Sequence, residues 1–145
     1  KSLPSVPRLC PTFDPMDVWA GAHVVFEPKA KADVVLVATG SEVGLAAEAA
    51  TELAQDGIGA RVVSMPCVGL FLEESEDAQD AIIPNDGTPI VAIEAGRGET
   101  LRRFLGRRGL VIGMESFGAS APYAALAEHF GFTASQVVAR VKAHV

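Results

Sequence analysis

Along the chain, short wholly apolar runs alternate with stretches whose apolar residues recur every three or four positions. Val34–Ala38, VVLVA, has no polar position, which predicts a strand buried on both faces. It leads through Thr39-Gly40 into Val43, Ala46, Ala47, Ala50, Leu53 and Ala54, the spacing of an amphipathic helix that Gly57 and Gly59 end. Residues 61–65 predict the next strand, stopped by Pro66. A stripe through Phe71, Ser75, Ala78 and Ile82 predicts one helix over 70–83, with an acidic outer face and Pro84 as its stop. Residues 89–94 read as a further buried strand. A helix carrying Leu101, Phe104 and Leu105 is expected after Gly96, and residues 110–114 predict the last strand. Pro122 suits the first position of a helix running through Phe130. Thr133 suits the N-cap of a final helix with Val137, Val138 and Val141 inside. His23–Phe26 is a further short strand candidate. This rhythm predicts an α/β domain: a mainly parallel sheet, helices on both faces and right-handed crossovers.

The first twenty residues break the rhythm. Pro4, Pro7, Pro11 and Pro15 recur every three or four positions, and proline fixes φ and removes a donor. Neither a helix nor a central strand is expected there, so residues 1–20 read as an extended linker or tail ahead of a domain over 21–145. An extended segment needs a surface to lie on, which implies that something precedes residue 1.

Composition narrows the function classes. The chain has 145 residues, enough for one ordinary core, and is 49% apolar and 21% charged. Its formal net charge of −6 lacks the basic footprint of a general nucleic-acid binder. No apolar run is long enough to span a bilayer, and the N-terminus has prolines where a signal peptide has an apolar core. A cytoplasmic protein with neither nucleic-acid nor membrane partners is expected. Cys10 and Cys67 form no CxxC pair and read as free thiols. His23, His129 and His144 have no metal-ligand spacing.

Four segments could carry chemistry. Thr39-Gly40-Ser41-Glu42 joins a strand to a helix N-terminus, where anions can bind. It matches neither GxGxxG nor GxxxxGK[ST], and Glu42 would repel phosphate, so Ser41 reads as a helix cap. EAGRGET at 94–100 has Gly96 and Gly98, but Leu101 stands where a third glycine belongs. Glu94 ends a strand at the carboxyl edge, where open α/β sheets bind ligands; alternatively it anchors a turn or pairs with an arginine. Arg97, Arg102, Arg103, Arg107 and Arg108 cluster within twelve residues and read as a solvated face. An anionic partner, a subunit contact, or pairing with Glu73, Glu74, Glu76, Asp77 and Asp80 are the other readings. In ESFGASAP at 115–122, Ser120 reads as an N-cap, since nothing places a base beside it. No nucleophile–base pair or other catalytic residue emerges, nor any cofactor-binding or metal-ligating set. Gly40, Ser41, Glu94 and Ser120 form the candidate anion or ligand edge.

Taken together, VATGSEV (37–43), ARVVSMPC (60–67), IEAG (93–96), VIGMESFGASAP (111–122) and HFGFTASQVV (129–138) resemble, in order and spacing, the C-terminal third domain of transketolases. The resemblance spans residues 22–145, and Ser2-Leu3-Pro4 is similar to the end of the preceding domain. It implies a three-layer α/β/α domain whose five-stranded sheet has its first strand, here His23–Phe26, antiparallel. For the whole enzyme it implies ketol transfer between sugar phosphates, with thiamine diphosphate and Mg²⁺ or Ca²⁺, in a homodimer. It also implies that the cofactor and metal ligands lie in the other domains, leaving this one to scaffolding and dimerisation and inactive alone. A regulatory module binding a small anion or sugar phosphate is the alternative. RGETLRRFLGRRG departs from the family pattern after IEAG, which puts the packing of that segment in question.

Overall fold

The computed structural model describes residues 10–11 and 13–145. Half of residues 1–20, expected to be extended, and the similarity at Ser2-Leu3-Pro4 lie outside them. Five strands form one sheet: β1 (His23–Phe26), β2 (Val34–Ala38), β3 (Ala60–Ser64), β4 (Ile90–Glu94) and β5 (Leu110–Gly113). Their spatial order is β1-β3-β2-β4-β5. β2 pairs in parallel with β3 and with β4, and β4 with β5. β1 runs antiparallel to β3, with His23 opposite Ser64, as the family resemblance implies.

The helices follow from this order. α1 (Glu42–Gln55) carries the chain from β2 outward to β3, whereas the link from β3 returns past β2 to β4. Right-handed crossovers travelling in opposite directions must lie on opposite faces of the sheet. α1 therefore covers one face, joined by α5 (Ala134–Lys142). Val34, Leu36, Ala38, Val62, Val91, Ile93 and Ile112 pack there against Ala46, Ala50, Leu53, Val137 and Val141. The other face buries Val35, Val37, Val63, Met65 and Ala92 under Phe71, Ile83, Leu101 and Leu105. All five β2 residues are fully buried, so the unbroken VVLVA run is a strand with a core on each side.

Three local expectations are corrected. The stripe over 70–83 is two helices, α2 (Val68–Phe71) and α3 (Glu76–Ile82). Ser75 is extended, and its hydroxyl accepts from the Ala78 N–H at 3.3 Å, starting α3 afresh. Glu76 and Asp77 then meet the positive end of α3. After Gly96 no α-helix forms; the chain makes only a 3₁₀ turn at Arg102–Phe104. Gly98 and Gly106, both left-handed with φ of 67° and 61°, bracket too few residues to repay helix nucleation. Finally, Pro15–Ala20 is a 3₁₀ helix rather than extended chain. Pro15 sits in its first turn, where a missing N–H costs nothing. Asp14 accepts from the Met16 N–H at 2.9 Å, and Asp17 accepts from the Asp14 N–H at 3.0 Å.

α4 (Tyr123–Phe130) follows the 115–122 segment, and Thr133 caps α5 as expected, accepting from the Gln136 N–H. Arg61 binds three elements together. Its guanidinium donates to Glu27 at 2.8 and 3.0 Å and to the Ala81 and Ile82 carbonyls at the end of α3.

Candidate functional site at the carboxyl edge

In a sheet of this topology the crevice lies where strand order reverses, between the carboxyl ends of β2 and β4. From β2 the chain leaves over one face, and from β4 over the other, so a gap is expected between the two departures. Of the three segments that hold the candidate edge residues, two, 39–42 and 94–100, flank it. The gap is closed from within: the Thr39 hydroxyl at the end of β2 donates to Glu94 Oε2 at the end of β4. The other Glu94 oxygen accepts from the Gly96 N–H at 3.1 Å. Gly96 in turn accepts, through its carbonyl, from the Met114 N–H at 2.8 Å, which ties in β5. A Cβ on Gly113 would stand 2.9 Å from that carbonyl, so the β4 and β5 exits are in close contact. Glu94 therefore anchors a turn and joins two strand ends. It is the turn-anchor alternative, and no arginine is bonded to it among the described residues.

Ser41 stands at the N-cap position of α1 but does not cap it. Its backbone is helical, and its hydroxyl donates to Glu42 Oε1 at 2.7 Å instead of accepting from the helix. The turn satisfies its own donors, with the Glu42 N–H bonded to the Thr39 carbonyl at 3.1 Å. Gly40 is left-handed at φ 52° with open space around it. Ser120 is not the N-cap expected for α4 either: Pro122 occupies that position and Tyr123 is the first helical residue. Ser120 is exposed, and among the described residues no hydrogen bond links it to Gly40, Ser41 or Glu94. The structure thus brings Gly40, Ser41 and Glu94 to one edge and leaves Ser120 on a neighbouring exposed segment. Thr39, the residue that closes the crevice, has no sequence signal of its own; its partner is 55 positions away.

The charge of this edge is acidic, from Glu42 and Glu94, which opposes a diphosphate. Both Glu94 oxygens and one of Glu42 are already engaged. No group of three His, Cys, Asp or Glu side chains among the described residues is placed to hold a metal ion. The residues here do not fit a diphosphate–metal pair. His23, where β1 enters beside the end of β3, lies against Phe13 with ring centroids 5.0 Å apart. Burial pushes its pKa below the usual histidine value, partly offset by Asp17, and its Nδ1 finds no hydrogen-bond partner among the described residues.

The arginine cluster is divided. Arg97 and Arg102 reach Glu99, at 4.0 and 3.2 Å, rather than the acidic residues over 73–80. Arg103, Arg107 and Arg108 lie at the opposite edge of the sheet, beside the start of β4.

The family model for the transketolase-like TK C-terminal domain matches residues 21–133. This chain belongs to that family. A transketolase of Cupriavidus necator encoded on a plasmid is 46% identical over 126 residues, 87% of this chain and 18% of that protein. The crystal structure of transketolase from Campylobacter jejuni superposes with a TM-score of 0.81 at 34% identity, covering 99% of this chain and 20% of the other. A structure described as a split-gene transketolase, inactive β4 tetramer, superposes with a TM-score of 0.67 at 27% identity, over 98% of this chain and 46% of that one. The transketolase C-terminal domain thus spans about 18% of the length of the curated relatives it matches. No helix among the described residues is long and apolar enough to cross a membrane.

Proposed function

We propose that this transketolase C-terminal domain serves an enzyme that transfers two-carbon ketol units between sugar phosphates in the cytoplasm, within the pentose phosphate pathway. Its part is to scaffold and pair subunits rather than to do chemistry. The observation that carries the reading is the self-closed switch point: the crevice that would receive a ligand is filled by Thr39 and Glu94. Thiamine diphosphate and Mg²⁺ or Ca²⁺ are then held by the remaining domains, because the residues at this edge do not fit them.

What this domain offers those partners is exposed apolar surface. Met16 and Trp19, on the 3₁₀ helix that packs on α2, are 66% and 72% exposed; Phe117 and Tyr123 are 98% and 79% exposed. Large aromatics left in water at such levels favour burial against another domain or a second subunit. Adding the polypeptide with the other transketolase domains should yield ketol transfer that neither piece shows alone. Trp19 is the sole tryptophan of the chain, so its emission should shift to the blue on docking. Turnover by the 145-residue chain alone would overturn the reading. So would active reconstitution with Glu94 bonded to the cofactor in the complex.

A further inference from the structure

At the amino ends of β4 and β5, opposite the closed crevice, a groove of about 510 Å³ opens between the 84–89 segment and the 103–108 turn. Its floor is apolar, from Phe71, Ile83, Phe104 and Leu105, and its rim carries Arg103, Arg107 and Arg108. The turn that presents the last two is sterically fixed. Gly106 is left-handed at φ 61°, and a Cβ on Gly109 would stand 2.1 Å from the Leu105 Cβ and 2.5 Å from its carbonyl. The His144 ring bonds the Arg108 carbonyl at 2.6 Å, tying the turn to the end of the chain. Glu99 engages Arg97 and Arg102 but none of these three, and Lys31 engages Asp86. Among the described residues, then, the three guanidinium groups have no carboxylate within ion-pair distance. The one acidic side chain lining the groove is Asp80, which leaves an excess of positive charge in a chain that is acidic as a whole.

We propose that this groove binds a small, multiply charged anion bearing phosphoryl groups. Guanidinium forks pair with phosphoryl oxygens two at a time, and a tetrahedral group presents oxygens to several forks at once, which a planar carboxylate does not. The volume falls in the range of small-molecule sites and exceeds what one phosphate fills, so the apolar floor accommodates the carbon skeleton of an ester. The proposal is independent of ketol transfer and of the carboxyl edge.

Titration calorimetry on the 145-residue chain, whose helices cover both faces of its own sheet, tests it with inorganic phosphate, pyrophosphate and a hexose bisphosphate. Saturable binding below about 1 mM is expected for at least one of the last two. It should weaken by at least about threefold between 50 and 200 mM NaCl. The Arg103→Gln/Arg107→Gln/Arg108→Gln variant should lose at least about tenfold in affinity, whereas Arg97→Gln/Arg102→Gln should lose nothing. Asp80→Asn, which removes the opposing charge, should tighten binding and serves if the triple variant fails to fold. Inorganic phosphate binding as tightly as the bisphosphate places the recognition in the phosphoryl group alone; tighter ester binding assigns the apolar floor to the ligand as well. The proposal is overturned by no binding of any probe near 1 mM at low salt, by equal binding to the triple variant, or by capture of an acidic peptide with none of the phosphates.

Discussion

The two ends of the same sheet differ in closure and in charge. At the carboxyl end, where α/β sheets of this topology take ligands, β2, β4 and β5 are laced together by Thr39, Glu94 and Gly96, and the charge is negative. At the amino end, Asp33 accepts from the Gly59 N–H at 2.7 Å and Lys31 reaches Asp86 at 2.8 Å, closing the gaps beside β2. Beside β4 and β5 the amino end stays open and carries Arg103, Arg107 and Arg108, which have no carboxylate partner among the described residues. A fold's usual ligand edge is therefore a statement about where room exists, and one threonine–carboxylate pair can remove that room.

The comparison can be broken most severely at Gly109. Its replacement by alanine drives a Cβ into the backbone of Leu105, and neither side can yield without opening the turn. A loss of about 3 kcal/mol in urea unfolding is expected, together with loss of the arginine groove. Next comes Glu94→Ala, which strands the part-buried Thr39 hydroxyl and releases the exposed Gly96 N–H to water. The expected cost is about 2 kcal/mol, with a smaller loss for Glu94→Gln. A double-mutant cycle with Thr39→Val should show coupling of about 1 kcal/mol; additive effects would mean that the crevice is not held shut by this pair.

A weaker test uses pH. The folded-state pKa of His23 is depressed by burial, so the unfolded chain binds the proton more readily. Stability should therefore decline as pH falls through the ordinary histidine value of about 6.5, and level off below the folded pKa. His23→Gln should flatten the unfolding midpoint across pH 7.5 to 5.5; an unchanged slope would place the titration elsewhere. The smallest effect belongs to the amino edge. The carboxyl of exposed Asp86 is held well below its usual range by hydrogen bonds from Lys31 and Thr88. That contribution is present above the ordinary aspartate value and fades as pH falls through the folded one. Because both partners are exposed, Asp86→Asn should shift the midpoint only slightly at neutral pH and less still in acid.

Strands were the most legible part of the chain, because a wholly apolar run such as VVLVA has one good environment, the middle of a two-sided core. Helices were legible where the stripe was long, as in α1, and misleading where a cap interrupts it. Ser75 keeps the helical spacing of its neighbours while its hydroxyl starts a new helix. Prolines were over-read at 15–20, where Pro15 falls in a first turn that needs no N–H. At the ligand edge, Glu94 was legible as a turn anchor, but Ser41 and Ser120 were not legible as the non-capping residues they are. A hydroxyl's choice between a backbone N–H and a neighbouring carboxylate turns on geometry of a few tenths of an ångström.

The sequence by itself determined the α/β rhythm, the buried strands, the α5 cap and membership of the transketolase C-terminal family, because each depends on local pattern or on motifs in register. Only the tertiary structure decided that the switch point is shut and that three of five clustered arginines have no carboxylate partner among the described residues. Both depend on strand order, which brings residues such as Thr39 and Glu94 together across 55 positions. That order is set by how crossovers pack on the two faces of the sheet, a property no single segment carries.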